Sequence, residues 1–471
     1  MYIYYFLFVI VFSIALLIAN IVCFKKKTYP CLFFIMLLFL PEFYGFEFSE
    51  ALPILTVTRI MFVIFYVYAF INRRQNLSLS FSKIKSMSKV NYLLIGYFLF
   101  RIVSNLYYVF TYAQAIKTIL EIIFEQLLLI FAIRMLSPTK KEIDNLITAI
   151  VWACCAMFII GIIESLYGFK FGNMLYTVNR PMLNAYHLRL GLLRSTVTMG
   201  LPNFYGNMCV IMLPLILYAY AIHKKKSYLF IVVLDILANI HSGCRSDLIF
   251  FVVLAVLFYI VLAFEKPTWK KVFQDSLVVL LSVGIVLGIL SLCSPNCRYF
   301  YEGTGKSILN EFGYNFDLDE GAPDGVEGYG GNDGVSTGYG GTASRTRQFT
   351  GIIYTLQTNP LFGLGSGAQV RKDVRYLRNG KWVPSVTYDV GYVEIACDEG
   401  LLGIIAFVLL SLYIVIIGKG IKVHLLKRNL ALSFITYAIC MLSSANMFHF
   451  LFFLLIILMS SNDFIMKGKM Q

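Results

Sequence analysis

Apolar residues fall in runs long enough to cross a membrane, separated by short polar stretches. A spanning helix needs roughly 20 mostly apolar residues. The runs that meet this pattern cover residues 3–23, 31–47, 54–71, 91–110, 116–136, 145–166, 203–222, 228–242, 246–264, 273–293, 401–418, 430–444 and 447–463. The last stretch is too long for one helix, and "SSAN" at Ser443–Asn446 is read as a tight turn dividing it. Two polar stretches are much longer than the rest, at about 167–202 and 294–400. Within the second, Phe349, Ile352, Ile353 and Leu356 stand at i, i+3, i+4 and i+7 and predict an amphipathic helix. Arg345 and Arg347 head it, and "NPLFGLGSG" ends it.

The pattern predicts an all-α polytopic membrane protein of about 12–14 transmembrane helices, with a large extracytoplasmic loop containing short helices. Residues 1–293 would hold helices 1–10 with the outer loop 167–202, residues 294–400 the large loop, and residues 401–471 the C-terminal helices. Composition agrees: 59% of the 471 residues are hydrophobic and only 14% are charged, against about 25% charged in soluble chains. The N-terminus enters an apolar run at once, without the charged n-region or small-residue cleavage site of a removable signal.

The net charge of +14 does not point to nucleic acid, because the basic residues occur as short clusters between apolar runs. Lys25–Lys27, Arg73/Arg74/Lys83/Lys85/Lys89, Arg134/Lys140/Lys141, Lys224–Lys226, Lys266/Lys270/Lys271, Lys419/Lys422/Lys427/Arg428 and Lys467/Lys469 all fall on one side of the topology. By the positive-inside rule that side is cytoplasmic, so both long loops lie outside. Cysteines sit mostly in or beside apolar runs and show no zinc spacing; Cys293 and Cys297 flank "SPN" closely enough to bridge. Residues 321–343 hold nine glycines and a repeated "GYGG", a composition that predicts a flexible segment. A calcium reading of its "GGNDG" falls short of a repeat array. No metal and no cofactor are expected.

Ionisable residues inside spans are costly and are usually paired or functional. Here they are Arg59, Arg101, Lys117, Glu121, Glu125, Glu164 and Asp235. Glu121 follows Lys117 by four residues, the spacing of an in-helix pair, and a salt bridge is the ordinary fate of Arg59 or Asp235. At the outer ends of separate spans stand Arg189, Arg194, Arg245, Arg345 and Arg347. A guanidinium stays charged and matches phosphate oxygens with a planar fork of donors, so the set predicts an anion site on the outer face. No P-loop or dinucleotide motif is present. A phosphate-bearing substrate outside a bacterial membrane is most simply lipid-linked. Transfer of a sugar from a lipid pyrophosphate needs charge stabilisation on the leaving group and a base for the attacking hydroxyl. Asp389 in "YDVGYVE" is the candidate base, with Glu394 and His187 behind it.

The segments "RLGLLRSTVTMGLPNFYG", "SGCRS", "NPLFGLGSG" and "DVGYVEIACDEGLLG" resemble those of the O-antigen polymerase and O-antigen ligase superfamily of bacterial envelope proteins. The resemblance runs from about residue 160 to 420, with the motifs in the same order relative to the spans. It implies a metal-independent membrane glycosyltransferase using undecaprenyl-pyrophosphate-linked oligosaccharide, in the bacterial plasma membrane, with its large loop outside. By motif, Arg194 and Arg345 would serve catalysis beside Asp389, while Arg189, Arg245 and Arg347 would hold the pyrophosphate. Tyr392, Glu394, Asn203 and Arg59 complete the expected substrate-binding set. Ligases carry a His-Asn pair about eleven residues before the closing glycine, but counting back from Gly400 reaches Asp389 and Val390. The "DVGY" form is more similar to repeat-unit polymerases of O-antigen or capsular polysaccharide. Such an enzyme would work beside a chain-length regulator and a flippase. The alternatives are a ligase passing finished glycan to another acceptor, and a flippase, which would need two related halves; no internal repeat is seen.

Overall fold

Each expected apolar run contains a helix in the computed structural model, though that of 31–47 ends at Phe39; the structure describes residues 2–41, 43–48, 54–74, 89–178, 184–263, 269–323, 342–385, 387–445 and 448–466. The first half comprises α1 (Tyr2–Lys25), α2 (Tyr29–Phe39), α3 (Val57–Ile71), α4 (Asn91–Leu106), α5 (Ala113–Glu121), a π-helical insertion (Ile122–Leu127), α6 (Leu128–Leu136) and α7 (Lys140–Tyr167). Then follow α8 (Pro202–His223), α9 (Ser227–His241), α10 (Arg245–Ala263), α11 (Trp269–Cys293), α12 (Pro295–Glu311), α13 (Thr342–Thr358), α14 (Gly391–Lys419), α15 (His424–Cys440) and α16 (Phe448–Met466). Among the described residues, α1, α7, α8, α11 and α14 are each long and apolar enough to cross a membrane unaided. Local sequence sets several boundaries. Pro202 opens α8 at a position where its missing N–H costs nothing, and Thr139 with Glu142 forms a capping box for α7.

Among the described residues sheet is confined to three antiparallel two-stranded ribbons in the polar loops: β1 (Gly45–Phe46) with β2 (Leu55–Thr56), β3 (Leu188–Arg189) with β4 (Leu192–Leu193), and β5 (Arg375–Arg378) with β6 (Lys381–Pro384). The basic segment 371–381 thus becomes a hairpin. Its turn is Asn379-Gly380, both with positive φ, the pair that a two-residue turn of right-handed twist requires.

The long loop ends differently from the hydropathy pattern. α14 begins at Gly391, ten residues before the apolar run, and breaks at Gly400, whose φ of 65° and ψ of −152° are not helical. The "NPLFGLG" segment fills the break. Leu401 N–H donates to Pro360 O at 2.9 Å and Leu402 N–H to Leu361 O at 3.2 Å, while Leu364 N–H and Gly365 N–H donate to Cys397 O (2.8 Å) and Asp398 O (2.9 Å). The groups orphaned by the break are therefore satisfied across the interface. Gly363 and Gly400 approach so closely that a Cβ on either would collide with the other's backbone.

The expected charges in the spans find separate solutions. Arg101 on α4 meets Glu399 on α14 through three hydrogen bonds of 2.7–3.0 Å and also reaches the Tyr97 hydroxyl; both ionic side chains are only 6% exposed. Arg59 bonds to Glu121 (3.0 Å) and Glu125 (2.8 Å) and to Ile54 O. Glu164 on α7 accepts the backbone N–H groups of Thr196 and Val197 and the Thr196 hydroxyl. Asp235 is wholly buried near the Cys209 thiol, and no cation among the described residues pairs with it. All ten cysteines are free, Cys293 and Cys297 included. The "GGNDG" calcium reading and most of the glycine-rich segment lie outside the described residues, as does Asn446 of the "SSAN" turn.

Candidate functional site

The site is assembled around the three-residue turn Ser242–Cys244 between α9 and α10. Gly243 has φ +64°, so the turn is left-handed at its centre. Its outward groups hold the first loop: Arg194 Nε donates to Ser242 O at 3.1 Å, Arg194 Nη2 to Cys244 Sγ at 3.1 Å, and Arg189 Nη1 to Gly243 O at 2.8 Å. A Cβ on Gly243 would stand 3.1 Å from Arg194 Cγ, which leaves little room for any other residue. Ser195 N–H donates to His241 O, adding a backbone tie beside the two guanidinium groups. The β3–β4 turn, Leu190-Gly191, plugs Leu190 against Gly303, Cys297 and Phe300 of α12. Arg189 and Arg194 are thereby fixed on the face of the turn.

Lys170 supports the same loop from below. Its ammonium is buried and donates to Ala185 O (3.0 Å) and Gly200 O (3.2 Å). Desolvation pulls its pKa down to about 8, against the opposing effect of Glu164.

Arg245 points to α12, where it meets Glu311 at 3.0 Å and Ser307 Oγ at 2.8 Å. Two residues on, Asp247 is 1% exposed, with its carboxylate pressed against Gly206 of α8. One of its oxygens lacks a hydrogen-bond partner. Arg345 on α13 and Arg194 both lie within electrostatic range of it. An arginine from each of the two loops thus lies in the field of one buried carboxylate. The Arg345 guanidinium hydrogen-bonds to none of the described residues.

α13 turns an unexpected face inward. Gln348, Gly351 and Thr355 are buried, whereas Phe349, Ile353 and Leu356 of the apolar stripe are exposed at 41%, 53% and 37%. The reason is the hairpin: the Tyr376 ring lies so near Gly351 that a Cβ there would fall 2.6 Å from it, and only a narrow helix face admits that approach. The inward face also reaches the candidate base. Gln348 Nε2 donates to Asp389 Oδ2 at 2.6 Å, and Asp389 N–H donates to Gln348 Oε1 at 2.8 Å. Arg345 precedes Gln348 by three residues, so both stand on one helix face about 4.5 Å apart along the axis.

The other expected residues divide. Arg347 is exposed on α13. Tyr392 spends its hydroxyl on Ala438 O of α15 at 2.8 Å, and Asn203 Nδ2 reaches Ser444 Oγ at 3.4 Å. Glu394 stands in the first turn of α14 within electrostatic range of Tyr437. Arg59 belongs to the separate Glu121/Glu125 cluster on α3. Tyr388, just before Asp389, is buried and donates to Asp398 Oδ1 at 2.7 Å; burial and that carboxylate raise its phenol. Among the described residues no group of three or more His, Cys, Asp or Glu side chains is placed to hold a metal ion. Sequence reasoning missed Gln348 and Asp247. Asp247 directly follows the "SGCRS" segment and Gln348 lies in the expected amphipathic helix, but neither has a spacing that marks it.

No curated protein matches the chain. Residues 230–408 match a family model described as O-antigen ligase. The matched stretch of this multi-pass membrane protein holds the Ser242–Cys244 turn, Asp247, α13, the "NPLFGLG" segment and the Gly400 break, and in these it is similar to that family.

Proposed function

We propose that the protein is a glycosyltransferase that polymerises oligosaccharide repeat units carried on undecaprenyl pyrophosphate, on the outer face of the bacterial plasma membrane. Arg194 and Arg345 hold the donor's pyrophosphate. The acceptor sugar hydroxyl attacks the donor's anomeric carbon and passes its proton to Asp389 Oδ1, the oxygen that Gln348 leaves open. The anomeric C–O bond to phosphate breaks as the new glycosidic bond forms, and the charge on the departing lipid pyrophosphate is met by the two guanidinium groups. The product is the lengthened glycan on the acceptor's lipid.

The observation that carries this reading is the double hydrogen bond from Gln348 to Asp389 on the helix that also bears Arg345. It couples the carboxylate to the helix that carries Arg345. Arg189 supports the pyrophosphate site from the turn, and Arg245 through α12. A ligase is the second reading, favoured by the description of the matching family model. It needs the same donor chemistry and differs only in the acceptor.

The test is reconstitution of the purified protein with one lipid-linked repeat unit and nothing else, products being read by size. A ladder of lengthening glycans is expected. Transfer that appears only when a different acceptor is added would replace the polymerase by the ligase.

A further inference from the structure

At the opposite end of the bundle from the arginines, α14, α15 and α16 leave a groove of about 260 Å³ between them. Its walls are apolar, built from Ile414, Phe434, Ile435, Leu454 and Leu458 among others, with Gly418 making room over Leu458. Ile435 and Val415 are 43% and 49% exposed, so the groove opens outward rather than into the protein. Its polar rim is Lys419 and Lys427, at the end where the basic clusters gather.

Three features define what would fit. From Lys427 to Ile435 the groove follows eight residues of helix, or about 12 Å. One leaflet of a bilayer's hydrocarbon core is about 15 Å deep, so the groove matches the reach of a single leaflet's acyl chain. Among the described residues no carboxylate pairs with either rim lysine. No Asp or Glu occurs between Glu399 and Asp463, which covers the groove-lining stretches of all three helices, and Glu399 lies 20 residues, about 30 Å of helix, from Lys419. Lys427 Nζ instead leans on the carbonyl of Lys419 at 3.4 Å, which brings the two lysines together. Arg428 turns the other way, over Phe258 of α10. An apolar slot one leaflet deep, capped by two lysines, has the shape and charge of a site for an anionic lipid.

We propose that this groove holds one anionic phospholipid, its acyl chain between α14, α15 and α16 and its phosphate between Lys419 and Lys427. The site is independent of the glycan chemistry at the other end of the bundle.

Native mass spectrometry of the full chain in detergent tests it, with phosphatidylglycerol and phosphatidylcholine of identical acyl chains added in turn. The protein should retain one phosphatidylglycerol in preference to phosphatidylcholine. The double variant Lys419→Ala/Lys427→Ala should lose that retention by about thirtyfold, as expected for two surface lysines. Lys422→Ala, an exposed lysine in the loop between α14 and α15, should keep it. Equal retention of both lipids by the unaltered protein would overturn the proposal. So would a double variant that binds phosphatidylglycerol as before, or a Lys422→Ala loss as large as the double variant's. Dimer formation that survives delipidation and is abolished by Ile435→Asp would replace the lipid by a second copy of the chain.

Discussion

Gln348 holds Asp389 from both sides, donating to its Oδ2 at 2.6 Å and accepting its backbone N–H at 2.8 Å, while being only 3% exposed itself. The clamp sets the carboxylate's direction as well as its position, and it leaves Oδ1 open. In the proposed mechanism that geometry matters more than the charge alone, because a misplaced base loses roughly a hundredfold in rate. Gln348→Ala should therefore lower transfer by about that factor, with little change in donor KM. Gln348→Glu, which faces Asp389 with a second carboxylate, should be worse still. Steady-state kinetics on the reconstituted protein decide the matter, and an unchanged kcat in both variants would remove Gln348 from the mechanism.

Arg345 and Arg194 lie within electrostatic range of the same buried carboxylate, Asp247, from different loops. Loss of one charge-stabilising donor typically lowers turnover by about 10²–10³. Arg345→Ala and Arg194→Ala should each fall in that range while the protein remains folded and membrane-inserted. Arg345→Lys should recover part of the activity, since an ammonium keeps the charge but not the planar fork. Full activity of both alanine variants would sink the pyrophosphate role.

The Arg101–Glu399 pair is buried and charged, so breaking one side leaves the other exposed to a low-dielectric interior. Glu399→Gln should destabilise the protein by about 3–5 kcal/mol, read as a drop in apparent melting temperature in detergent. Replacing both partners, as in Arg101→Met/Glu399→Leu, should recover most of that loss. A single variant as stable as the parent would mean that the pair is solvated.

Gly400 combines φ +65° with backbone contact to Gly363. Gly400→Ala and Gly363→Ala should each destabilise by upwards of roughly 1–3 kcal/mol, since strain and collision act together. Limited proteolysis of the 360–366 segment is the direct readout. An alanine variant as resistant as the parent would show that the two segments can separate without consequence.

Lys170 ties folding to pH. Its pKa falls to about 8 in the folded chain from an ordinary 10.5, so the unfolded state binds more protons between these values. Stability must then rise with pH from about 8 to about 10.5, and the penalty of the buried charge is fully present below pH 8. The apparent melting temperature of the protein should climb across that window, and Lys170→Met should flatten the climb. A flat profile in the parent would place the ammonium in solvent.

The membrane helices were legible residue by residue. Hydropathy is a local property, so the apolar run 203–222 announced α8 almost to the residue, and 145–166 announced α7 apart from its polar first turn. Arginine, aspartate and glycine likewise declare their charge or conformational freedom wherever they stand, and this marked Arg194, Arg345 and Asp389 as candidates. Which residue meets which was not legible. Gln348 and Asp389 are 41 positions apart, and Arg101 and Glu399 are 298; no periodicity connects them. The apolar stripe of α13 pointed to one face for burial, yet the Tyr376 ring against Gly351 turned another inward, and with it Gln348 toward Asp389. Local sequence determines what each segment can form. Close packing between distant segments, which depends on shape and on satisfying every buried polar group, decides which side chains become neighbours.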